Sequence, residues 1–209
     1  MKAMLSRAAA LIAVLVLAAG CASPPPQYYS LADDTLRPAS APAAAGAAPL
    51  FIELAPVAMP ERLARPQMVV RQKGAADSPQ VDILEEHRWS SSFENELRDA
   101  LASGIAGRLG AVDATRSGLA RGRPVVRIAV QLRQFDAVEN SRVDAGFSWT
   151  VRRADEGPST TCQLSLSEPV DRGLDALAAG AQRVTAKLAD AIARSVSAMS
   201  SQPAVACPA

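Results

Sequence analysis

The most constraining feature of this 209-residue chain is a strict alternation of apolar and polar residues in its second half. Three segments show it, at residues 126–132, 143–151 and 162–166. A period of two is typical of strands that bury one face and leave the other in solvent. The short intervals between the segments predict antiparallel neighbours. Phe135 breaks the parity of the first segment, which predicts a bulge or bend there.

Patterns elsewhere in the chain complete the predicted fold. Three further strands are predicted at residues 50–54, 67–71 and 80–84. Apolar residues recur every fourth position from Trp89 to Leu109, which predicts a helix, and Ser91 and Glu94 form a capping box near its start. Residues 174–199 predict a long second helix with charged residues on the opposite arc. Together these patterns predict an α+β fold, in which two amphipathic helices pack on one face of a mixed, largely antiparallel sheet.

The first twenty residues have the layout of a secretory signal. Lys2 and Arg7 precede an apolar run, and small residues stand directly before Cys21. The run Leu-Ala-Ala-Gly-Cys at residues 17–21 resembles the bacterial lipobox, in which the cysteine thiolate accepts a diacylglyceryl group. The alternatives are an ordinary signal peptide and a short N-terminal anchor. We expect a lipoprotein signal peptide at residues 1–20 and lasting membrane attachment through acyl chains, such as palmitate, on Cys21.

The residues after Cys21 indicate where the protein is held. Ala22 and Ser23 lack the aspartate that resembles an inner-membrane retention signal, so we expect the periplasmic face of the outer membrane. Residues 21–49 are rich in proline and alanine, which predicts a tether between the lipidated cysteine and a folded domain at residues 50–209. Both tyrosines of the protein, Tyr28 and Tyr29, interrupt this segment. Two interpretations remain open for them: a short edge strand of the domain, or a segment that faces a partner.

The cysteine count predicts one disulfide. If Cys21 carries lipid, only Cys162 and Cys207 remain to pair, and the periplasm is oxidising. The alternative is two unlinked thiols. Two cysteines and a single distant histidine argue against a zinc site. We therefore expect no metal and no cofactor apart from the covalent lipid on Cys21.

The sequence offers little for catalysis or for binding nucleic acid. His87, the single histidine, follows Glu85 and Glu86 and has two interpretations: a general base beside a carboxylate, or part of a solvated approach to a helix, which we favour. The chain has no nucleophile elbow, P-loop or dinucleotide fingerprint. A net charge of +1 and the lack of aromatic residues among the arginines argue against nucleic acid. The sequence therefore predicts a non-catalytic protein.

Several local runs resemble the ABC-type transport auxiliary lipoproteins, the family that includes paraquat-inducible protein C. The matching runs are Tyr28-Tyr29-Ser30-Leu31, then Pro60-x-x-Leu63-x-Arg65-Pro66-Gln67-x-Val69-Val70-Arg71, and Arg88-Trp89 ahead of the first helix. The resemblance covers nearly the whole mature chain. Two features differ: residues 90–92 are three serines where members often have Ala-Glu-Pro, and the Ala-Pro segment is longer than usual.

The resemblance implies a periplasmic ABC-transport auxiliary domain that hydrolyses nothing itself. Such a domain would dock an MCE-domain membrane protein of an ABC transport system that moves lipids or other hydrophobic molecules between the two membranes. The implied partners are that protein and the outer-membrane bilayer, and a homo-oligomer is compatible with the pattern. Two other functions remain open: an envelope-assembly or structural lipoprotein without a transporter, and a lipid-binding carrier, which requires an apolar cavity between helices and sheet.

A small set of residues is the candidate docking site. The strand-like run at Tyr28 and Tyr29 can pair with the edge of a partner's sheet. The run from Pro60 to Arg71, which also carries the family resemblance, adds three polar residues to the candidate site. The candidates are Tyr28, Tyr29, Arg65, Gln67 and Arg71. The alternative for Arg65 and Arg71 is that they brace the fold.

Overall fold

The computed structural model describes residues 24–32, 49–72, 74, 79–116, 125–153, 159–201 and 207. The predicted signal peptide, Cys21 and most of the predicted tether lie outside the described residues. Within them the chain forms one eight-stranded sheet and two α-helices. The predicted α+β class, with a mixed and largely antiparallel sheet, is confirmed.

The elements follow one another along the chain with two helices separating groups of strands. The strands are β1 (Gln27–Tyr29), β2 (Phe51–Leu54), β3 (Gln67–Arg71), β4 (Asp82–Trp89), β5 (Val112–Asp113), β6 (Val125–Val138), β7 (Arg142–Arg153) and β8 (Ser159–Pro169). The helices are α1 (Phe93–Leu109) and α2 (Leu174–Ser201), and a single 3₁₀ turn spans Glu61–Leu63.

Strand β6 organises the sheet. One of its edges pairs antiparallel with β7, which in turn pairs antiparallel with β8. Its other edge is shared by two parallel neighbours, β2 near its beginning and β3 at its end. Beyond β3 lie β4, antiparallel, and then β1, parallel to β4, while β5 extends β2. The register of β6 shifts between Leu132 and Gln134, which is the irregularity that the parity break at Phe135 predicted.

Both helices cover the same face of the sheet. Helix α2 lies over β7 and β8, and α1 packs beside it near β2. Buried Trp149 of β7 donates its indole N–H to the Ser195 hydroxyl of α2 at 3.2 Å, which satisfies a polar atom inside the core. A Cβ on Gly104 would lie 3.2 Å from the Cβ of Ala189, so this glycine permits the close approach of α1 to α2.

The opposite face of the sheet carries polar side chains. Along β6 and β8 these residues are exposed and alternate with buried ones: Arg127, Gln131, Arg133, Thr161, Gln163, Ser165 and Ser167. The predicted arrangement of two helices packed on one face is therefore confirmed. We call the polar side the helix-free face.

The predicted start of the first helix is wrong by one turn. Trp89 ends β4, and α1 begins at Phe93 with Ser92, not Ser91, as its N-cap, accepting from the amide of Asn95 at 3.4 Å. The rings of Trp89 and Phe93 lie 5.3 Å apart in the same core. The spacing of four therefore continues across a strand–helix junction and does not mark the helix boundary.

The folded domain begins earlier than residue 50. Strand β1 pairs with β4, and Leu31, just after it, is only 2 % exposed. The structure therefore places part of the segment predicted as a tether, residues 21–49, within the sheet and core, and the edge-strand interpretation of the two tyrosines is the one observed. Residues 33–48 connect β1 to β2, two strands of the same sheet.

Candidate partner-binding surface

The two tyrosines of β1 face opposite sides of the sheet, as the alternation of a strand requires. Tyr29 turns to the helix side, where its hydroxyl donates to Oδ1 of Asp175 in the first turn of α2 at 2.8 Å. The same hydroxyl lies 3.1 Å from Nδ1 of His87, and the two rings stack at 6.0 Å. Tyr28 turns the other way and is 63 % exposed.

The environment of Tyr29 keeps its phenol neutral. Burial, the hydrogen bond to Asp175 and the negative charge of that carboxylate raise the pKa of Tyr29 to about 12. The ring of His87 faces this neutral hydroxyl. The geometry therefore gives Tyr29 and His87 a role in joining β1, β4 and α2.

A buried carboxylate fixes the end of β1. Glu96 of α1, 9 % exposed, accepts from the backbone N–H of Leu31 at 3.0 Å and from the hydroxyl of Ser30 at 3.0 Å. The hydroxyls of Ser90 and Ser91 also donate to it, at 2.5 and 3.1 Å. Burial alone would raise the pKa of Glu96, but these four hydrogen bonds outweigh burial and hold the pKa below its usual value. The ionised carboxylate therefore binds the chain just after β1 to α1.

On the helix-free face, three side chains of β3 and β4 form a hydrogen-bonded group. Gln67 pairs with Arg88 across the two strands. The Gln67 amide donates to Glu85 Oε2 at 3.2 Å, and Arg88 donates to the Glu85 carbonyl at 2.6 Å. Val69 and Arg71 alternate on β3 with buried Met68 and Val70, so they share this side with Gln67. We call Gln67, Val69, Arg71, Glu85 and Arg88 the outer β3–β4 surface.

The structure brings three of the five candidate docking residues to this side of the sheet. Gln67 and Arg71 belong to the outer β3–β4 surface, and Tyr28 lies at its margin because it pairs with Arg88. Arg71 also bonds Asp136 of β6 at 3.2 Å, with both side chains 21 % exposed, so it braces β3 against β6 as well. Arg88 and Glu85 were not among the docking residues predicted from the sequence. Only the register of β3 with β4 places these two residues beside Gln67, and that register cannot be read from the sequence.

The other two candidates lie elsewhere. Tyr29 packs on the helix side, as described above. Arg65 follows the 3₁₀ turn; its carbonyl accepts from the amide of Phe93 at 3.2 Å, and its Nε is buried with no hydrogen-bond partner among the described residues. The backbone carbonyl of Arg65 therefore helps to hold the entry into α1.

A narrow apolar cavity lies between the sheet and the beginnings of the two helices. Its volume is about 10 Å³, which is room for about one water molecule. Its walls are mainly apolar and include Leu63, Met68, Trp89, Phe93, Phe135 and Leu177. An acyl chain does not fit in this cavity, so it does not supply the site that a lipid carrier needs.

The last described residue is joined to the sheet. Cys162 on β8 is 2 % exposed and forms a disulfide with Cys207, with the two Cα atoms 5.4 Å apart. This is the pairing that the cysteine count predicted. The bond holds Cys207 against β8.

Among the described residues, histidine, cysteine and acidic side chains form no group of three that could hold a metal ion. In the same part of the chain, no helix combines the length and the apolar character needed to cross a bilayer.

Comparison with solved structures shows the same fold in other proteins. A crystal structure of an uncharacterized protein is similar, with a TM-score of 0.64 and 20 % identity, covering 83 % of this chain and 99 % of that one. A protein from Xanthomonas campestris, described by the family model DUF330, has a TM-score of 0.55 and 11 % identity, covering 74 % of this chain and 87 % of that one. A search among curated proteins found no match.

Comparison with protein families gives the assignment. Residues 29–193 match the model of the ABC-type transport auxiliary lipoprotein component. The match starts inside β1, spans the outer β3–β4 surface and ends within α2. The resemblance found in the sequence is thereby confirmed, and the chain belongs to the family of ABC-type transport auxiliary lipoprotein components.

Proposed function

We propose that this chain is a lipoprotein, anchored through lipid on Cys21 in the outer membrane with its domain in the periplasm. It acts without catalysis as the docking component for an MCE-domain membrane protein of an ABC system that transports lipids or other hydrophobic molecules. The signal-like leader, the lipobox resemblance and the family assignment support this proposal.

The observation that carries the docking role is the outer β3–β4 surface. It presents the Gln67 amide, the Arg88 guanidinium and the half-buried Val69 side by side on a face without a covering helix. Apolar contact area next to oriented hydrogen-bond donors is what a protein interface uses. The cavity beneath the helices has room for only about one water molecule, which favours a docking component over a carrier.

The contacts of the titratable residues support a non-catalytic role. His87 and Tyr29 face each other, and Glu96 is occupied by four hydrogen bonds that hold β1. Each of these groups therefore has a structural partner among the described residues.

Detergent co-purification from outer-membrane fractions tests the docking role. The lipidated wild-type protein should recover an MCE-domain protein. The double variant Gln67→Ala/Arg88→Ala should weaken recovery about tenfold, because hot-spot truncations cost at least about 1.4 kcal/mol of binding free energy.

The helix-free face itself offers the matched control. Arg133 of β6 and Gln163 of β8 are another exposed arginine and glutamine, joined by a hydrogen bond of 2.5 Å, so Arg133→Ala/Gln163→Ala should leave recovery unchanged. Equal loss in both double variants would argue against this location of the docking site. Absence of any MCE-domain protein beside an intact, lipidated wild-type protein would refute the proposed partner. Intact-mass measurement tests the lipid on Cys21 separately.

A further inference from the structure

The position of β1 sets how far the domain can lie from its anchor. Five residues, Ala22 to Pro26, separate Cys21 from Gln27, where β1 begins. Six residue steps of a fully extended chain reach at most about 22 Å, and the seven steps from Cys21 to Tyr28 reach at most about 25 Å. A tether extending to residue 49 would instead have reached about 100 Å. Residues 33–48 add nothing to this distance, because they follow β1 and return to β2 of the same sheet.

The edge strand at the end of this short connection carries an exposed aromatic side chain. Among the described residues, Tyr28, Ile83 and Val112 are the large hydrophobic side chains that remain exposed. Tyr28 is the one on β1, whereas Ile83 lies near the far end of β4, opposite Val69 of β3. Tyrosine, which combines an apolar ring with a polar hydroxyl, is enriched where protein meets the headgroup layer of a membrane.

We propose that the β1 edge of the sheet, with Tyr28 at its centre, rests on the lipid bilayer, so that the sheet stands on edge above the membrane. This inference depends on the lipid on Cys21 from the proposed function. The occupant of this edge is the headgroup layer of the membrane that holds the anchor, because the connection is too short for the edge to move far from it. Tyr28 is then a membrane contact, and the outer β3–β4 surface beside it remains free for a protein partner.

The sheet topology predicts which strands lie near the bilayer and which lie far from it. Strand β8 is separated from β1 by five strand spacings, through β7, β6, β3 and β4. At about 4.8 Å each, these spacings place β8 about 24 Å further from the bilayer than β1. A partner must consequently approach within one domain diameter of the membrane surface, since the domain cannot extend to meet it.

Quenching of tryptophan by brominated lipids tests the orientation. Lipidated full-length mature protein carrying Tyr28→Trp is incorporated into phosphatidylethanolamine–phosphatidylglycerol vesicles that contain brominated phosphatidylcholine. The native tryptophans Trp89 and Trp149 are 4 % and 1 % exposed and contribute a constant background fluorescence. This background is measured in the wild-type protein and subtracted. Ser165→Trp, an exposed position on β8, is the matched control. We expect the added tryptophan at residue 28 to be quenched several-fold more than the one at residue 165.

Two results would overturn the inference. Equal quenching at residues 28 and 165, or none at residue 28, in protein that sediments with the vesicles would show that the β1 edge is not at the membrane. Insertion of a twenty-residue Gly/Ser segment between Ser23 and Pro24 should abolish most of the quenching at residue 28, and unchanged quenching would refute the role of the short connection. Failure of the wild-type protein to sediment, with no lipid in its intact mass, would instead refute the anchoring of the proposed function.

Discussion

Replacement of Glu96 by alanine should loosen the attachment of β1 to the rest of the domain. The carboxylate is buried and accepts hydrogen bonds from the Leu31 amide and from three serine hydroxyls. Because β1 is the strand of the sheet that follows the predicted lipid anchor in sequence, this single side chain affects how firmly the domain is attached to that anchor.

The expected loss of unfolding free energy follows from the hydrogen bond that each donor loses. The Leu31 N–H is buried and cannot easily regain a partner, which costs about 1–3 kcal/mol. The hydroxyls of Ser30, Ser90 and Ser91 are more accessible and can bind water, so each should cost only about 0.5 kcal/mol. We expect Glu96→Ala to lower the free energy of unfolding by about 3 kcal/mol. Glu96→Gln retains one acceptor oxygen and should lose about half as much.

The effect should depend on pH in a defined direction. The pKa of Glu96 is lowered in the native state, so its contribution to stability is complete above the ordinary carboxyl value of 4.5. That contribution is lost as the pH falls through the lowered native pKa. The difference in unfolding free energy between wild type and Glu96→Gln should therefore shrink on acidification.

Urea unfolding followed by tryptophan fluorescence measures the global change, and hydrogen exchange measures the local one. The Ser90 amide, which donates to the Tyr29 carbonyl at 2.7 Å, reports directly on β1. Glu94→Ala, in the same first turn of α1, is the matched control and should cost only about 0.5 kcal/mol through the helix dipole. Unchanged unfolding free energy and unchanged exchange at Ser90 in Glu96→Ala would refute this account of β1.

Two further predictions concern the C-terminal bond and the tyrosine of β1. Cys207→Ser should lower the unfolding free energy by about 4 kcal/mol, as the chain-entropy model gives for a loop of this length, with reductant producing the same loss in the wild type and none in the variant. In a Tyr28→Phe background, near-ultraviolet absorbance should show that Tyr29 ionises with a pKa of about 12. The stability that this raised pKa contributes should be complete below pH 10 and should be lost as the pH rises through 12. Ionisation of Tyr29 at 10 would contradict its bond to α2.

Residue patterns predicted the long strands well, because each long strand has one face covered by the helices and the other face exposed along most of its length. From Val126 to Leu132 every second side chain is buried by the helices, so alternation translates directly into β6. The same holds for Cys162, whose inward position on β8 was predicted and is observed. The two helices were recognised because each presents one continuous apolar stripe to the sheet.

The short strands and the helix boundary were harder to predict, because they depend on contacts with residues that are distant in the sequence. Strand β5 has two exposed residues, Val112 and Asp113, and exists only because β2 lies beside it. Proline and alanine dominate residues 21–49, and this average composition placed β1 in the predicted tether and left an edge strand at Tyr28 and Tyr29 as only one of two interpretations. Likewise, the stripe of α1 seemed to begin at Trp89, since packing in the core does not distinguish a strand end from a helix start.

The sequence by itself determined the fold class, the family and the candidate lipid cysteine, because these depend on local periodicity and on short runs of neighbouring residues. The tertiary structure alone decided which tyrosine is exposed, which arginines brace the fold and where the domain begins. Those properties depend on strand register, and the pairing of β1 with β4 joins residues 60 positions apart in the chain. That pairing shortens the connection between Cys21 and the sheet from an extended tether to six residue steps, which end at Gln27.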